Sequence, residues 1–490
     1  MLAIEKQLTK LIASLPKIKR VDVELEHPAN VDNGDYSTNV AMKLFSRLDD
    51  GQKQAAGLDS PRDLAFELVS KLEEQLSSND SLSNLIQKIE VAGPGFINFY
   101  LTPTFFLRSL QEAISDEQFG TSKVGAGKIW ELEHTSPNPN KAMHLGHLRN
   151  NLVAMAIGRL WEAISIRVIY EEVDNNRGIA IAKLMWGFLK FARKDESTPH
   201  KLEEWVNHPE KWQSPQDLQM RPDLFVDQLY VKGSNDFEQN PEHEQIVRQL
   251  VLDWENNDQN TWKLWEHVLK LSYLGQQQTL KRLGNRWDHV WHEHEHYQQG
   301  KQMVQQGLQK GIFVELDDGA IVTNLAEYNL PDTIIQKADG TSLYITQDIA
   351  LTKLKVERNK AEKYHWVVGP EQKLALEQMF TICEQFGFVK RSALEHLSYG
   401  YMSIKGKGKM SSRLGNVLYI DQLIDLAKEK ALGLIKDQSL SDNQKEELAE
   451  KIAVGAIKYA ILKVGRTADM AFEIESALSL EGSSGPYLQY

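Results

Sequence analysis

Cysteine is almost absent from the sequence, and no long uninterrupted hydrophobic run occurs in it. The one cysteine, Cys383, cannot form an internal disulfide bond, which indicates a reducing compartment. No stretch reaches the roughly 18 uncharged apolar residues of a membrane-spanning helix, so we expect no membrane association. The N-terminal segment carries Glu5, Lys6 and Lys10 within its apolar pattern, which excludes a signal-peptide core. The sequence therefore predicts a cytoplasmic protein.

The sequence also lacks an excess of basic residues. Lys and Arg number 56 against 68 Asp and Glu, which gives a net charge of −12. This balance excludes a protein that coats nucleic acid through bulk charge, although a local basic groove remains compatible with it. With 41% hydrophobic and 25% charged residues over 490 positions, the chain is of ordinary globular composition rather than disordered or collagen-like. Its length predicts about three domains.

Hydrophobic periodicity divides the chain into three regions. Residues 1–118 combine amphipathic helices with alternating segments such as "IEVAGPGFINFYL", which predicts a small α+β domain. Residues 124–400 alternate strands with helices, which predicts an α/β domain with a doubly wound parallel sheet, interrupted by a helical insertion at about 195–270. The segments "FVELDDGAIV" and "KYHWVVG" belong to this predicted alternation of strands and helices. Residues 401–490 begin with a basic loop and continue mostly as helix.

A His-x-Gly-His motif lies between a predicted strand and a predicted helix, in "SPNPNKAMHLGHLRNN". His144 and His147 are three residues apart, which places both imidazoles on one side of the first helical turn. The free N–H groups there favour an anion, and Gly146 has no Cβ that would exclude a flat group from the backbone. A nucleotide whose phosphates face the helix start fits this pattern. A capped helix with two surface histidines fits it as well, whereas a metal site needs further ligands.

A basic, glycine-rich loop follows much later, in "SIKGKGKMSSRLGN". Its cationic residues are separated by glycines, which make the loop mobile; they are Lys405, Lys407, Lys409 and Arg413. A mobile cationic loop can close on a polyphosphate and stabilise the charge that develops during transfer. Taken alone, the loop is more typical of a solvated basic segment.

Together the two motifs resemble the signatures of class I aminoacyl-tRNA synthetases, and the chain resembles the arginyl-tRNA synthetase family over nearly its whole length. The supporting phrases include "SPNPNKAMHLGHLRN", "DNNRGIAIAKLMW", "DGTSLYITQDIA", "VVGPEQ" and "GSSGPYLQY". The resemblance implies a Rossmann-type catalytic domain, an N-terminal domain that contacts tRNA and a C-terminal helical region that contacts the acceptor stem. The resemblance also implies which reaction the protein catalyses. ATP and arginine give arginyl-adenylate, and the arginyl group then passes to the 3′ end of tRNA(Arg), with Mg²⁺ on the ATP phosphates.

The resemblance assigns ATP-binding and catalytic residues. The ATP-binding set is His144, Gly146, His147, Gly369, Lys409, Met410 and Ser411, of which His144, His147 and Lys409 also stabilise charge on the phosphates. Many class I enzymes have a second lysine where this chain has Ser412. Arginyl enzymes without that lysine often carry one before the histidines, so we expect Lys141 to supply the missing charge. A solvated loop lysine is the alternative.

A set of polar residues is expected to bind arginine. A guanidinium is planar with five donors and requires carboxylates or carbonyls in a fixed fork. By resemblance, the set is Glu133, Asn138, Glu293, Tyr344, Asp348 and Gln372. Asp348 is expected to hold the guanidinium with Tyr344 beside it. Asn138 and Gln372 are expected at the α-amino and carboxylate end.

The stretch "WDHVWHEHEHY" contains four histidines: His289, His292, His294 and His296. Interpreted as a strand, it places the last three on one face and Glu293 on the other. A zinc site is compatible with this arrangement. The arginine interpretation requires Glu293 to face the pocket, however, so we expect no metal here. In the "VVGPEQ" segment the family usually has a His and an aromatic residue, where this chain has Ala375 and Leu376.

The expected tRNA contacts are local. By resemblance, Asn98 and Phe99 are exposed in the N-terminal domain, beside the basic residues Lys17, Lys19 and Arg20, while Lys463 and Arg466 lie near the acceptor stem. The family continues past "GPYLQY" into an anticodon-binding domain, so we expect the 490 residues to lack it, as a fragment or as a natural truncation. We expect a monomeric arginine–tRNA ligase. The alternatives are a non-catalytic tRNA-binding paralogue and an adenylating ligase with another acceptor.

Overall fold

The computed structural model describes residues 2–15, 22–78, 80–195, 201–338, 344–405 and 418–489. The chain forms two compact units, Met1–Thr121 and Ser122–Tyr490. Within the described residues, no helix is long and apolar enough to cross a membrane.

The first unit packs helices against a small antiparallel sheet. Its helices are α1 (Leu2–Ala13), α2 (Val40–Phe45), α3 (Asp50–Ala56), α4 (Pro61–Ser77), α5 (Asp80–Ser83) and α6 (Pro103–Ser115). Its strands are β1 (Tyr36–Thr38), β2 (Ile86–Ala92) and β3 (Phe96–Leu101), in the order β1-β3-β2. Ser60 caps the first turn of α4 and accepts a hydrogen bond from Asp63 N–H.

The expectation that Asn98 and Phe99 are exposed is wrong. Strand β3 is the central strand of its sheet, and both residues are buried, with 2% and 0% of their surface exposed. The polar side chain of Asn98 is satisfied inside the unit, since its Oδ1 accepts a hydrogen bond of 2.7 Å from Ser37 Oγ. The basic residues Lys17, Lys19 and Arg20 lie outside the described residues.

The second unit is built on a five-stranded parallel sheet, which confirms the doubly wound fold expected from the sequence. Its strands are β4 (Ile129–Glu133), β5 (Arg167–Asp174), β6 (His289–His292), β10 (Lys363–Trp366) and β11 (Leu394–His396). The spatial order is β11-β10-β4-β5-β6. The chain moves from β4 in one direction through β5 to β6, and later resumes on the other side of β4 with β10. The carboxyl ends of β4 and β10 therefore flank the topological switch point, where α/β sheets bind their ligands.

Helices cover this sheet and extend from it. They are α7 (Leu145–Ala163), α8 (Ile179–Phe191), α13 (Glu293–Gln309), α14 (Tyr344–Asn359) and α15 (Lys373–Phe386). The region of the expected insertion contains α9 (Leu202–Asn207), α10 (Pro222–Gln239), α11 (Pro241–Glu255) and α12 (Gln259–Leu283), and the last of these helices runs beyond the expected limit.

The segment "FVELDDGAIV" departs from the expected parallel alternation. It forms the hairpin of β7 (Phe313–Glu315) and β8 (Ile321–Thr323), and β9 (Ile334–Gln336) completes a separate antiparallel sheet. The turn includes Gly319, whose φ of +84° a residue with a side chain rarely adopts. Two strands joined by so short a turn are necessarily antiparallel.

The C-terminal part is mostly helical, as expected. It contains α16 (Ile420–Leu434), α17 (Asp442–Leu462), α18 (Ile474–Ala477) and α19 (Gly485–Gln489), with a short parallel pair of β12 (Met402–Ile404) and β13 (Met470–Phe472). Its core continues into the start of α7, where Leu145 and Leu148 are fully buried in the same apolar cluster as Ile457. The His-x-Gly-His motif is thus held between the sheet and the C-terminal helices.

Candidate active site

The loop that follows β4 bends sharply at the carboxyl end of that strand. Thr135 and Ser136 adopt φ values of 69° and 37°, which are unusual for residues with side chains. Polar side chains from α7 hold the bend. Asn150 Oδ1 accepts a hydrogen bond of 2.8 Å from Thr135 N–H, and Asn151 Nδ2 donates one of 3.1 Å to Thr135 Oγ1. Strain of this kind persists where the surrounding structure maintains it, which is typical of functional sites.

Asn150 also connects the two strands at the switch point. Its Nδ2 donates a hydrogen bond of 2.6 Å to the carbonyl oxygen of Val367, directly after β10, while its Oδ1 holds Thr135 after β4. One buried amide therefore fixes the spacing of the two strand ends. The sequence analysis missed Asn150, although an "NN" pair inside a predicted helix is a signal, because asparagine is a poor helix former.

His144 and His147 cap the start of α7 reciprocally. His144 Nδ1 accepts a hydrogen bond of 3.1 Å from Gly146 N–H, and His147 Nδ1 accepts one of 3.1 Å from His144 N–H. The ring centroids are 4.1 Å apart. A Cβ at Gly146 would lie 2.9 Å from His144 Cε1, so the flat group that packs against this glycine is the His144 ring itself.

Both imidazoles are neutral at physiological pH. Burial lowers the pKa of His144 to about 4, with a smaller contribution from Lys141. Burial also lowers the pKa of His147 well below its ordinary value, assisted by His144 and Lys141. Because each Nδ1 accepts a backbone N–H, the hydrogen-bond pattern assigns the remaining proton to Nε2. Each ring thus has an Nε2–H donor that is available to an anion.

A cavity of about 460 Å³ opens at the switch point, of a size that suits a small molecule. Of the residues predicted from the sequence, it is lined by Glu133, Asn138, His147, Asp348, Gly369 and Gln372. These residues come from the end of β4, the loop after it, α7, α14 and the turn after β10. The cavity therefore brings together parts of the expected nucleotide set and of the expected arginine set.

Lys355 lies at this cavity, and the sequence analysis missed it. Its side chain is fully buried, and its Nζ contacts Glu131 Oε1 at 2.9 Å, Glu133 Oε2 at 2.8 Å and Glu171 Oε2 at 3.2 Å. Burial alone lowers the pKa of Lys355, but the three carboxylates raise it well above its ordinary value. Burial raises the pKa of Glu131 to about 8 despite the nearby ammonium. A signal existed, since Asp348, Thr352 and Lys355 recur at helical spacing within an apolar segment.

Asp348 is exposed by surface area, and it lines the cavity. The surrounding protein nevertheless desolvates its carboxylate and raises its pKa to about 7, and the charges of Glu133 and Glu293 act in the same direction. We attribute the exposed surface of Asp348 to the open space of the cavity. An accessible side chain is therefore consistent with a carboxylate that the surrounding protein desolvates. A carboxylate in such a position is stabilised by an incoming cation.

Glu293 lies beside this cavity rather than in its lining. It lines an adjoining cavity of about 750 Å³, which shares Asn138 and Asn175 with the first. The expectation that the histidine run continues as a strand is wrong, because β6 ends at His292 and Glu293 begins α13. His292 Nδ1 lies 2.6 Å from Asp174 Oδ2. Among the described residues, no group of three or more His, Cys, Asp or Glu could hold a metal ion.

Two family models match the sequence. The model "tRNA synthetases class I (R), catalytic domain" matches residues 205–474, and "Arginyl tRNA synthetase N terminal domain" matches residues 2–101. The chain belongs to the arginyl-tRNA synthetase family. Its activity is that of an arginine–tRNA ligase with ATP, arginine and tRNA as substrates, which confirms the function expected from the sequence.

Relatives and solved structures agree with this family. The arginine–tRNA ligase of Treponema denticola is 31% identical over 483 residues, covering 97% of this chain and 75% of its own length. That of Bacteroides thetaiotaomicron is 32% identical, covering 81% of this chain and 67% of its own length. The Thermus thermophilus arginyl-tRNA synthetase structure shares the fold with a TM-score of 0.69 at 21% identity, covering 99% of this chain and 80% of its own.

Other members of the predicted synthetase site have different positions. Lys141 does not line the 460 Å³ cavity; its Nζ lies 5.5 Å from the centroid of the Tyr230 ring. It is nevertheless close enough to both histidines to lower their pKa values. Tyr344 begins α14, and its side chain lies outside the described part of the structure. Lys409, Met410, Ser411 and Ser412 also lie outside it.

Proposed function

We propose that the 460 Å³ cavity is the place where arginine and ATP react. One observation carries the proposal. Six residues predicted from separate parts of the sequence line a single cavity at the topological switch point. In the reaction, a carboxylate oxygen of arginine attacks the α-phosphorus of ATP, the bond to the β-phosphate oxygen breaks, and pyrophosphate leaves. A ribose hydroxyl of the terminal adenosine of tRNA(Arg) then attacks the arginyl carbonyl carbon, the bond to the phosphate oxygen breaks, and AMP leaves.

On the nucleotide side, His144 and His147 act as neutral donors. His147 lines the cavity and His144 does not; we assign their Nε2–H groups to the charge that develops on the α-phosphate, without an imidazolium that would bind the ground state as strongly. Gly369, which lines the cavity, is assigned to the nucleotide, whereas Gly146 leaves room for the His144 ring. Lys141 supplies positive charge beside the histidines, and the loop with Lys409, Met410 and Ser411 is assigned to the pyrophosphate end. Mg²⁺ is expected on the ATP phosphates, whose oxygens are the hard ligands that this cation prefers.

On the amino-acid side, Asp348 pairs with the guanidinium. Its pKa of about 7 returns towards the ordinary range when the cation binds, so binding is coupled to ionisation of this carboxyl. Glu133 and Glu293 add negative charge, and Tyr344 packs beside the side chain. Asn138 and Gln372 bind the α-amino and carboxylate groups. An uncharged analogue leaves the Asp348 carboxylate without a cationic partner, which makes it a poor substrate.

Replacing Asp348 tests the pocket assignment. We expect Asp348→Asn to raise the KM for arginine by at least about tenfold, the scale of one charged hydrogen bond, with little change in the KM for ATP. The measurement is arginine-dependent ATP–pyrophosphate exchange in the presence of tRNA. Glu315→Gln, at an exposed position of β7, is the control and should match the parent. An Asp348→Asn enzyme with the parent's KM for arginine would show that the pocket lies elsewhere.

We also propose roles for the surrounding regions. The unit Met1–Thr121 contacts tRNA, as its match to the family's N-terminal model suggests. The helical region after residue 401 contacts the acceptor stem through exposed cations such as Lys463 and Arg466, which are held by hydrogen bonds to Ser483 and Ser398 carbonyl oxygens. We propose that the chain acts as a monomer in the cytoplasm, consistent with a single, fully buried thiol.

A further inference from the structure

A guanidinium of the chain itself lies beside the proposed arginine pocket. Arg177 follows β5 in the loop before α8, and its side chain is 13% exposed. Its Nη2 contacts Glu255 Oε1 at 2.5 Å, and its Nη1 lies 3.6 Å from Glu293 Oε1. Its guanidinium carbon is 4.0 Å from the centroid of the Tyr297 ring. The partners come from α11 and α13, so one side chain connects the helical insertion with the start of α13.

The two carboxylates that contact Arg177 have different roles. Glu255 is at hydrogen-bond distance and holds the guanidinium in place, with the face of Tyr297 adding cation–π stabilisation. The contact with Glu293 is longer than a hydrogen bond, so it acts through charge. Glu293 therefore keeps acceptor capacity towards the cavity that it lines together with Asn138.

We propose that Arg177 is a positioning residue for arginine recognition, holding Glu293 ionised and oriented so that it can accept a hydrogen bond from the substrate guanidinium. The inference rests on the proposed function, which places Glu293 in the arginine-binding set. It assigns a role to a residue that does not itself bind arginine. The negative charge of Glu255 compensates the positive charge of Arg177. The guanidinium of Arg177 can therefore lie beside a pocket that binds the guanidinium of the substrate.

The electrostatic surroundings of Glu293 support the proposal. Burial raises the pKa of Glu293, Arg177 opposes this rise, and Asp174 adds to it. The other charged or titratable groups around it are Asp348 from α14, Glu255 from α11, Lys183 from α8, Arg248, Lys337 and the neighbouring His292, His294, Glu295 and His296. Without Arg177, the pKa of Glu293 rises further. A protonated carboxyl presents a donor, whereas a guanidinium has only donors and needs an acceptor.

The test compares Arg177→Met with Arg177→Lys, which keeps the charge. The KM for arginine is measured in tRNA-dependent ATP–pyrophosphate exchange between about pH 6.5 and 9. An opposite charge at this distance shifts a carboxyl pKa by about one unit or more, so we expect Arg177→Met to raise the KM about tenfold near neutral pH. The rise should diminish as the pH increases and Glu293 ionises. Arg177→Lys should stay close to the parent, and the KM for ATP should change in neither variant.

A second variant separates this inference from the function on which it rests. Glu293→Gln removes the titrating group, and it should raise the KM for arginine by an amount that does not fall with pH. If Glu293→Gln leaves this KM unchanged, Glu293 is not part of the pocket and that assignment fails. If it raises the KM while Arg177→Met follows the parent at every pH, only the role of Arg177 is refuted. Thermal unfolding checks that each variant is folded, and Arg177→Gln replaces Arg177→Met should the latter fail to fold.

Discussion

The neutrality of His144 and His147 shows how a few contacts define the chemistry of single residues. The Nδ1 of each ring accepts a hydrogen bond from a backbone N–H at the start of α7. These hydrogen bonds fix the orientation of each ring, and with it the direction of its Nε2–H. Charged imidazoles would bind ATP in the ground state, whereas neutral donors gain most as charge develops in the transition state. The histidine spacing thus serves capping, and under the proposed function the same side chains also serve catalysis.

Lys355 provides the sharpest prediction for a single residue. We expect Lys355→Met to lower the free energy of unfolding by about 3–5 kcal/mol, because it leaves the buried carboxylates Glu133 and Glu171 without a counter-charge. Lys353→Met, two residues earlier on α14, is the matched control. Its partner Glu357 is exposed and 3.9 Å away, so its loss should cost no more than about 0.5 kcal/mol. Urea unfolding monitored by tryptophan fluorescence measures the stability of both variants. Equal midpoints for the two would contradict the buried-cluster interpretation.

The burial of such polar residues could not be derived from the sequence. The motif residues Glu133, Asn138, His147 and Asp348 could be named because spacing and resemblance identify them. Lys355, in contrast, is stabilised by carboxylates more than 180 positions away in the chain, whose proximity depends on strand order. Asn98 was predicted to be exposed for the same reason. Only the pairing of β3 with β1 brings Ser37 within reach of its side chain.

At the scale of elements, prediction succeeded where the signal is local. The strand–helix alternation that predicts the doubly wound sheet is of this kind, because each strand or helix shows its own periodicity within one segment. The hairpin of β7 and β8 was assigned to the parallel sheet because two short apolar runs do not show their direction. The histidine run after β6 alternates like a strand, yet it begins α13, since periodicity over four residues cannot separate the two structures.

The contact between α8 and α10 allows a prediction at this scale. The two helices approach closely at Gly187 and Gly233, and a Cβ on Gly233 would lie 2.2 Å from the carbonyl oxygen of Lys183. We expect Gly233→Ala to separate the helices and lower the free energy of unfolding by about 1–3 kcal/mol. Gly433→Ala on α16 is the control. Nothing lies within 4 Å of its Cβ position, so alanine should be neutral or stabilising by up to about 1 kcal/mol. Thermal unfolding of both variants gives the comparison, and a Gly233→Ala protein as stable as the parent would refute the close approach.

At the scale of the whole molecule, the synthetase activity draws on parts that are distant in sequence. The cavity takes residues from β4, α7, α14 and the turn after β10, and Arg177, which lines the adjoining cavity, contacts Glu255 of the insertion. The parallel sheet produces this convergence, because its strands all end at one edge. The net charge of −12 indicates in addition that tRNA is held by local cationic surfaces and not by the overall field of the protein.

The division into two compact units gives the last prediction. The first unit has a buried apolar cluster of its own, which runs from Ile4 to Phe105, and the clusters of the second unit lie between Leu132 and Leu478. A unit with its own core should fold without the other, so we expect residues 1–121 and residues 122–490, produced separately, each to unfold cooperatively on heating. The second of these should retain the cavity. Its arginine binding, measured by calorimetry with ATP present, should therefore respond to Asp348→Asn as in the full chain. A segment 122–490 that melts without a cooperative transition would mean that the first unit contributes to its folding, and that the synthetase site depends on both.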